Sequence, residues 1–274
     1  MDFYQGKVVY ITGGSSGIGL AAARLVVKAG GKVAISARGK DRLDAALAEL
    51  KALGPNVDAL AIACDVSNPD DARRAADEVI AHFGHCDVVI ANAGVAHCMR
   101  ILDTDDESFD RMMRINYLGT VHTIRAFLPH LTQRRSGRIG IVSSLLGFMG
   151  TFGYAAYAPS KFAQVGFAEC LRQELLEFNV GVTILYPPDT DTPQLAAENL
   201  TKPAETKAIS GNVKTLPAEA VALPLLQGLA RNKLNVVPGG MGKFAHFMKR
   251  HAPGLVNWVI DGDLKKFQKK RAQA

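Results

Sequence analysis

The sequence predicts an α/β fold in which helices cover both faces of one sheet of parallel strands. Short apolar, β-branched runs recur along the chain, and a longer amphipathic stretch follows most of them. No break in composition divides these repeats, and 48% of the 274 residues are hydrophobic, which is enough for one large core. We therefore expect a single doubly wound domain over residues 1–240, with a helical extension over residues 241–274.

Six strands and five helices are expected to alternate. The strands are predicted at residues 8–12, 32–37, 57–64, 87–91, 139–142 and 180–186. The helices are predicted at residues 20–29, 40–53, 69–83, 105–131 and 157–178. Asn68 is the predicted N-cap of the third helix, and Pro69 is its predicted first residue. Such alternation is typical of a parallel sheet, because the chain must cross over between neighbouring strands.

A glycine-rich segment between the first strand and the first helix predicts a dinucleotide site. It reads T-G-x-x-x-G-x-G over residues 12–19, and we call it the glycine loop. Its glycines let the backbone turn tightly and approach a pyrophosphate at the start of the helix. The spacing differs from the usual G-x-G-x-x-G, and a plain strand-to-helix turn is the alternative. The predicted cofactor contacts here are Gly13, Ser15, Ser16, Gly17, Ile18 and Gly19.

The end of the second strand indicates which nicotinamide cofactor the chain uses. An acidic residue at this point would accept a hydrogen bond from the ribose 2′-hydroxyl of NAD, but the chain has Arg38. A guanidinium can pair with the 2′-phosphate of NADPH, and Arg42 adds a second positive charge nearby. The alternative is that Arg38 is a solvated loop cation. The missing acid together with the arginine favours NADPH.

A serine, a tyrosine and a lysine after the fifth strand predict proton-transfer chemistry. Tyr157 and Lys161 are four residues apart, so a helix would place the phenol and the ammonium on one face. A free phenol has a pKa of about 10, and a nearby ammonium favours the phenolate and lowers that pKa. The pair can also be an ordinary surface pair on a helix. It becomes a candidate active site only if Ser144 and a nucleotide reach the same place.

Taken together, the motifs resemble those of the short-chain dehydrogenase/reductase family. Their order and spacing fit the main branch of that family over about residues 5–195. The matching motifs are the glycine loop, Asp65-Val66, Asn92-Ala93-Gly94, Asn116, Ser144 and Tyr157-x-x-x-Lys161. The resemblance implies a Rossmann-type sheet and hydride transfer. It also implies that Ser144 rather than Ser143 is the catalytic serine, because Ser144 lies thirteen residues before Tyr157.

The same resemblance implies roles for individual residues. Ser144 would hydrogen-bond the substrate oxygen, Tyr157 would donate a proton to it, and Lys161 would also hold the nicotinamide ribose. Asn116 would hold a water in the proton relay. The remaining residues implied to contact the cofactor are Asp65 and Val66 beside the adenine, and Asn92, Ala93 and Gly94, together with Tyr157 and Lys161 themselves.

The segment after the sixth strand shows a narrower resemblance. The family usually has Pro-Gly there, whereas this chain has PPDTDTP at 187–193 and ENLTKPAET at 198–206. This stretch resembles the subgroup of the family that reduces 3-ketodihydrosphingosine to dihydrosphingosine, which implies a long-chain lipid ketone as substrate. A generic lid over any ketoreductase site is the alternative. The residues implied to line the cofactor are Pro187, Pro188, Thr190 and Thr192, within a substrate loop at about 187–215.

Three other functions remain open at this point. The same chemistry could act on a steroid, a retinoid or another apolar ketone or alcohol. A nucleotide-binding scaffold without catalysis is a second alternative, although it would not need the complete set of Asn116, Ser144, Tyr157 and Lys161. A membrane-surface module, in which only the basic tail matters, is the third.

The last part of the chain accounts for its net positive charge. Residues 241–274 contain eight Lys/Arg and two Asp/Glu, and the net charge of the whole chain is +6. Aromatic and aliphatic residues such as Phe244 and Trp258 are mixed with these cations, which suits an interfacial helix on an anionic bilayer. The alternative is a helix that packs on the body or on a second subunit. We expect no nucleic-acid partner, because the Lys/Arg cluster lacks a recognition motif.

Other features limit where the protein works. Cys64, Cys86, Cys98 and Cys170 show no C-x-x-C spacing, so we expect free thiols in a reducing compartment and no metal centre. The first residues lack the basic start and apolar core of a signal peptide, and no run approaches the ~18 apolar residues of a spanning helix. We therefore expect a cytoplasmic protein that reaches membranes only peripherally, and, by resemblance to the family, a homo-oligomer.

Overall fold

The fold is described by a computed structural model that covers residues 1–210 and 215–273. Seven parallel strands form the main sheet: β1 (Val8–Thr12), β2 (Lys32–Ala37), β3 (Ala59–Ala63), β4 (Val88–Ala91), β5 (Gly137–Val142), β6 (Val180–Leu185) and β9 (Asn235–Val236). A separate two-stranded ribbon pairs β7 (Thr190–Asp191) with β8 (Leu216–Pro217). The order of strands in the main sheet is β3-β2-β1-β4-β5-β6-β9.

Helices cover both faces of this sheet. Within the described residues they are α1 (Gly17–Lys28), α2 (Lys40–Lys51), α3 (Pro69–Phe83), α4 (Asp106–Met112), α5 (Gly119–Arg134), α6 (Tyr157–Glu174), α7 (Pro193–Thr201), α8 (Ala204–Ser210), α9 (Ala218–Ala230), α10 (Gly240–His251) and α11 (Pro253–Ala272). Buried side chains of α1, α2 and α9 form the core on one face. Those of α3, α5 and α6 form the core on the other.

Alternate residues of each strand face opposite cores. In β1, Val9 and Ile11 belong to the core under α1 and α9, whereas Val8 and Tyr10 belong to the core under α3 and α5. All four side chains are buried. Because both faces are covered, the strands are continuous apolar runs instead of alternating apolar and polar residues.

The strand order reverses at β1 and β4, and this reversal positions the site. Strands β2 and β3 lie on one side of β1, and β4, β5 and β6 lie on the other. The loops that leave the carboxyl ends of β1 and β4 therefore diverge and open a crevice. The backbone N–H groups of Asn92 and Ala93 both donate to Thr12 Oγ1 at 3.0 Å, which ties the two loops together.

The predicted doubly wound parallel sheet is confirmed, and the bounds of β1, β2 and α3 agree with prediction. The seventh strand, β9, was not predicted, because its two residues are too few to form a recognisable apolar run. The helix predicted at 157–178 ends as an α-helix at Glu174, and a 3₁₀ turn (Leu176–Phe178) completes it. Other element ends differ by a few residues, as frayed ends do.

The region predicted to be helical at 105–131 is helical, but it is not one regular α-helix. The helix expected at 105–131 is divided into α4 and α5, and a π-helical turn, Met113–Leu118, joins them. Asn116 lies in this turn. A π turn widens the helix locally and is often found at functional sites.

The predicted helical extension is formed by α10 and α11, and it packs on the body of the protein. Arg271 Nη1 lies 3.1 Å from Glu205 Oε1, which joins the end of α11 to α8. The His246 ring of α10 packs edge-on against Phe148 with centroids 4.8 Å apart. None of the helices in the described ranges combines the length and the hydropathy needed to cross a bilayer. Residues 211–214 of the predicted substrate loop lie outside the described residues.

Candidate active site

A cavity of about 790 Å³ lies at the carboxyl ends of β1, β4 and β5. We call one part of its wall the cofactor half, formed by the glycine loop, Arg38, Arg42, Asp65, Val66 and Asn92. We call another part the substrate half, formed by Tyr154, Asp189 and Glu198 and by apolar residues of α10 and α11. Ser144, Tyr157 and Lys161 line the same cavity.

The glycine loop has a backbone that side chains would obstruct. Gly13 and Gly17 have φ angles of +66° and +54°, in the left-handed region that glycine tolerates. A Cβ on Gly13 would lie 2.9 Å from Ala93 Cα, and a Cβ on Gly19 would lie 2.5 Å from Gly13 O. The side chain of Ser16, the N-cap residue of α1, makes no capping hydrogen bond. Because no side chain caps the N–H groups at the start of α1, they can bind a pyrophosphate, and the loop is suited to a dinucleotide.

The residues after β2 and β3 fit the adenosine part of such a cofactor. Arg38 and Arg42 both line the cavity, and position 38 carries no carboxylate that would repel a 2′-phosphate. Asp65 and Val66 line it as well. Asp65 Oδ1 accepts hydrogen bonds from the N–H and the hydroxyl of Ser67, at 2.9 and 2.7 Å, which fixes the carboxylate.

The two serines after β5 make different contacts. The Ser143 hydroxyl donates to the backbone oxygen of Lys161 at 3.1 Å, and this serine is only 3% exposed. The Ser144 hydroxyl accepts a hydrogen bond from Leu146 N at 3.1 Å and lies near enough to the Tyr157 hydroxyl to lower the pKa of that phenol. Two hydroxyls therefore meet at one point of the cavity wall. This geometry distinguishes Ser144 from Ser143 independently of spacing.

Tyr157 begins α6, and Lys161 lies one helical turn later. Lys161 Nζ is 5.6 Å from the centroid of the Tyr157 ring and donates to Val142 O at 3.0 Å. Burial lowers the pKa of Lys161 to about 7. The lysine can therefore gain or lose a proton near neutral pH.

Burial also dominates the ionisation of Tyr157. It raises the pKa of the phenol, the hydrogen bond with Ser144 opposes this, and the carboxylates of Glu198 and Asp189 raise the pKa further. The sequence predicted the opposite direction, with Lys161 lowering the pKa of Tyr157. The difference arises because desolvation disfavours the charged form of both groups.

Asn116 lies behind the wall of the cavity. Its Nδ2 donates to Val95 O at 3.0 Å and to Ser160 Oγ at 2.9 Å, and its Oδ1 accepts from Val95 N at 2.9 Å. A Cβ on Gly94 would lie 3.1 Å from Asn116 Oδ1 and 3.5 Å from Lys161 Nζ, so a glycine here lets both groups approach one point. The water-holding role of Asn116 stays a prediction.

The other predicted residues surround the same cavity. Asn92 Nδ2 donates to Thr12 O at 2.9 Å, and Thr192 caps α7 by accepting from Leu195 N at 3.3 Å. Of the predicted set, Gly19 and Asn116 lie outside the described cavity wall. Those on the wall are Gly13, Ser15, Ser16, Gly17, Ile18, Arg38, Arg42, Asp65, Val66, Asn92, Ala93, Gly94, Ser144, Tyr157, Lys161, Pro187, Pro188, Thr190 and Thr192.

Sequence reasoning missed the residues that line the substrate half. The Tyr154 hydroxyl donates to Glu198 Oε1 at 2.5 Å, and both residues line the cavity. The only local signal was the four-residue spacing of Glu198 and Lys202, which places an acid and a base one turn apart. The apolar residues of α10 and α11 on this wall include Met241, Phe244, Met248, Leu255, Val256 and Val259.

The thiols and the acidic side chains build no metal centre in the described ranges. No three His, Cys, Asp or Glu side chains among residues 1–210 and 215–273 are grouped so that they could hold a metal ion. Cys64, Cys86, Cys98 and Cys170 are free, and the first three are buried. Burial raises the pKa of Cys64 to about 11, which keeps it a thiol at neutral pH.

Two kinds of sequence comparison agree with this geometry. A family described as short chain dehydrogenase matches residues 7–203. A Bos taurus protein named 3-ketodihydrosphingosine reductase is 38% identical over 240 residues, which are 86% of this chain and 72% of that protein. A Danio rerio protein named 3-dehydrosphinganine reductase is 40% identical over 225 residues, which are 80% of this chain and 67% of that protein.

Solved structures agree on the fold. A short chain dehydrogenase/reductase from Burkholderia phymatum, in complex with NAD, matches with a TM-score of 0.82 over 93% of this chain and 96% of that one. Its identity of 23% supports the architecture alone. The family match, by contrast, spans most of the sheet and the whole predicted catalytic set. The chain therefore belongs to the short chain dehydrogenase family and is a nicotinamide-dependent oxidoreductase.

Proposed function

We propose that the chain reduces 3-ketodihydrosphingosine to dihydrosphingosine with NADPH. The observation that carries this proposal is the composition of the cavity, in which Ser144 and Tyr157 share one space with a dinucleotide loop and an apolar wall from α10 and α11. A long-chain ketone needs such a wall, because burial of each CH₂ group gains about 0.8 kcal/mol. The names of the Bos taurus and Danio rerio relatives support the same substrate.

The cofactor half favours NADPH over NADH. Arg38 and Arg42 would hold the 2′-phosphate, because guanidinium groups form charge-assisted hydrogen bonds with phosphate oxygens. The glycine loop would hold the pyrophosphate at the start of α1, and Lys161 would hold the nicotinamide ribose. When bound, NADPH supplies the hydride that reduces the ketone carbon.

Ser144 and Tyr157 act on the ketone oxygen. The Ser144 hydroxyl donates a hydrogen bond to that oxygen, where negative charge develops in the transition state. The Tyr157 hydroxyl gives its proton to the same oxygen, so the product leaves as an alcohol. Both residues line the same cavity, and Ser144 is near enough to lower the pKa of Tyr157, so one substrate oxygen can contact both hydroxyls.

Lys161 and Asn116 supply a new proton to the Tyr157 phenolate after Tyr157 has given its own proton to the ketone oxygen. With a pKa of about 7, Lys161 can release a proton at neutral pH. Lys161 Nζ and Asn116 Oδ1 approach the same point beside Gly94, and a water bound between them would complete the relay. The two residues therefore act on the Tyr157 phenolate after proton transfer to the ketone, and neither needs to contact the substrate.

We also propose that α10 and α11 contact an anionic membrane surface. Their exposed large apolar side chains are Met241, Phe244, Phe247, Leu255, Trp258 and Val259. Lys265, Lys266, Lys269 and Lys270 follow in the second half of α11. Apolar side chains beside cations suit the interface of an anionic bilayer. Because the same helices wall the substrate half, a lipid ketone would enter from that surface.

A homo-oligomer is proposed from the helices on either side of β5. Leu118, at the junction with α5, and Phe162 of α6 are 40% and 44% exposed, so both sides offer apolar surface. Equilibrium sedimentation of the purified chain would measure the state. A mass equal to one chain at every concentration would reject this part of the proposal.

The test of the main proposal is one assay. The purified protein is mixed with NADPH and either 3-ketodihydrosphingosine or a simple steroid ketone, and oxidation of NADPH is followed. We expect turnover of the sphingoid ketone and little turnover of the steroid. Faster reduction of the steroid would favour the alternative substrate class, and no reaction with either ketone would contradict catalysis.

A further inference from the structure

Three charged side chains come together in the segment that carries the narrower resemblance. Glu198 lies on α7, Lys202 directly follows α7, and Asp189 precedes β7. Lys202 Nζ lies 3.1 Å from Glu198 Oε1 and 3.8 Å from Asp189 Oδ2. Both carboxylates line the cavity, whereas the lysine is 7% exposed and is not part of the described cavity wall.

The charges of this group do not balance. Two carboxylates face one ammonium, so the group keeps one net negative charge on the wall of a largely apolar compartment. A charge in such surroundings is costly unless a partner of opposite sign compensates it. The cavity therefore favours a ligand that brings a positive charge to this point.

The Glu198 carboxylate keeps one oxygen for such a ligand. The Tyr154 hydroxyl donates to Oε1 at 2.5 Å, and Lys202 Nζ contacts the same atom at 3.1 Å. Among the described residues, no hydrogen bond is made to Oε2. Tyr154 and Lys202 thus fix the Glu198 side chain through Oε1, and Oε2 keeps its capacity to accept a hydrogen bond.

Tyr154 places this carboxylate beside the reacting atoms. Its ring centroid is 5.9 Å from that of Tyr157, while its hydroxyl ends on Glu198. The negative charges of Glu198 and Asp189 are close enough to add to the effect of burial, which raises the pKa of the Tyr157 hydroxyl. When the ketone oxygen contacts the Tyr157 hydroxyl, a substituent on the carbon next to the ketone would therefore lie between Tyr157 and Glu198.

We propose that Glu198, held by Tyr154 and Lys202, binds the ammonium group on the carbon next to the substrate ketone, with Asp189 adding a second negative charge. This inference rests on the proposed function, since 3-ketodihydrosphingosine carries such an ammonium and steroid or retinoid ketones do not. Glu198 is then a specificity-determining residue that selects 2-amino ketones over plain ketones of equal length.

The bound ammonium also helps the chemical step. The carboxylates disfavour the phenolate that Tyr157 becomes when it gives up its proton. A substrate ammonium at Glu198 offsets that negative charge, so proton transfer to the ketone oxygen becomes easier. Loss of the amino group should therefore lower kcat as well as raise KM.

The experiment compares two substrates that differ in one group. The first is 3-ketodihydrosphingosine, and the second is 1-hydroxyoctadecan-3-one, which has the same chain, hydroxyl and ketone without the amine. We expect the wild type to prefer the amino ketone in kcat/KM. Glu198→Gln should lower kcat/KM for the amino ketone by about 10- to 100-fold, the loss typical of a charged hydrogen bond, and should not lower that for the plain ketone.

Two further variants keep the test decisive. Asp191→Asn removes an exposed carboxylate from the same segment and should alter neither substrate. If circular dichroism shows that Glu198→Gln has not folded, Glu198→Gln/Lys202→Met removes the ion pair as a unit and should show the same selective loss. An equal loss with both ketones in a folded variant, or no loss with either, would overturn this inference and leave the reductase assignment standing. A wild type that does not reduce 3-ketodihydrosphingosine would instead overturn the proposed function, and this inference with it.

Discussion

The cofactor half and the substrate half of the cavity are built from different structural elements. The cofactor half consists largely of backbone and short loops at the strand ends, such as the glycine loop with its φ angles of +66° at Gly13 and +54° at Gly17. Apart from Tyr154 and Asp189, the substrate half consists of side chains on α7, α10 and α11, which come after β6 in the chain. From this difference we expect the sheet to position the hydride chemistry and the helices that follow it to select the ketone.

The largest effect should come from the Tyr157 hydroxyl, which lies on the wall of the cavity that both halves form. Tyr157→Phe removes the proton donor, and we expect turnover to fall by about 10²- to 10⁴-fold, the usual contribution of a general acid. Binding of NADPH, measured by fluorescence titration, should stay nearly unchanged because the phenyl ring still fills its buried position. Appreciable remaining turnover would contradict the role of Tyr157.

A change confined to the cofactor half should leave ketone selection intact. Arg38→Asp replaces the guanidinium by a carboxylate, which repels a 2′-phosphate and can accept a hydrogen bond from a 2′-hydroxyl. We expect kcat/KM with NADPH to fall by about 10- to 100-fold and the preference to shift toward NADH. The ratio of kcat/KM for the amino ketone to kcat/KM for the plain ketone should stay unchanged. Equal use of both cofactors before and after the change would refute the phosphate argument.

A change at the outer surface of the substrate half should affect membrane contact alone. Lys269→Gln with Lys270→Gln removes two exposed cations of α11, and we expect about thirtyfold weaker binding to vesicles that contain anionic lipid, at about 1 kcal/mol per cation. Neutral vesicles provide the control, and added salt should reduce the difference. Unchanged sedimentation with anionic vesicles would reject the membrane proposal.

The last effect concerns stability and not activity. Burial lowers the pKa of Lys161 from its ordinary 10.5 to about 7, so between these values the unfolded chain binds a proton that the folded protein does not. The free energy of unfolding should therefore rise with pH through this window, and Lys161→Met should remove that part of the rise. Urea unfolding of both proteins at pH 7 and pH 9 measures it. Equal pH dependence in the two proteins would contradict the buried, neutral lysine.

Features with local signals could be predicted from the sequence. Val8–Thr12 and Lys32–Ala37 are apolar runs bounded by turn residues, and Asn68 caps α3 through a hydrogen bond to Asp70 N. Tyr157 and Lys161 are joined by helical spacing, which is also local. The cofactor half was predictable for the same reason, since each of its motifs directly follows a strand.

The remaining features depend on contacts between distant parts of the chain. Tyr154 and Glu198 are 44 residues apart and meet only when α7 folds over the sheet. The apolar residues of α10 and α11 resemble a surface helix in sequence, and only the fold shows that several of them line the cavity. The direction of the Tyr157 pKa shift was mispredicted because burial cannot be read from the Tyr-to-Lys spacing.

The most direct test follows a labelled hydride from one half of the cavity to the other. The protein is incubated with 3-ketodihydrosphingosine and NADPH that carries deuterium at the transferable position, and the product is examined by mass spectrometry. We predict dihydrosphingosine with one deuterium on the former ketone carbon, and at least about 100-fold slower formation of this product with Tyr157→Phe. Recovery of unreduced ketone, or of dihydrosphingosine without deuterium, would contradict the account.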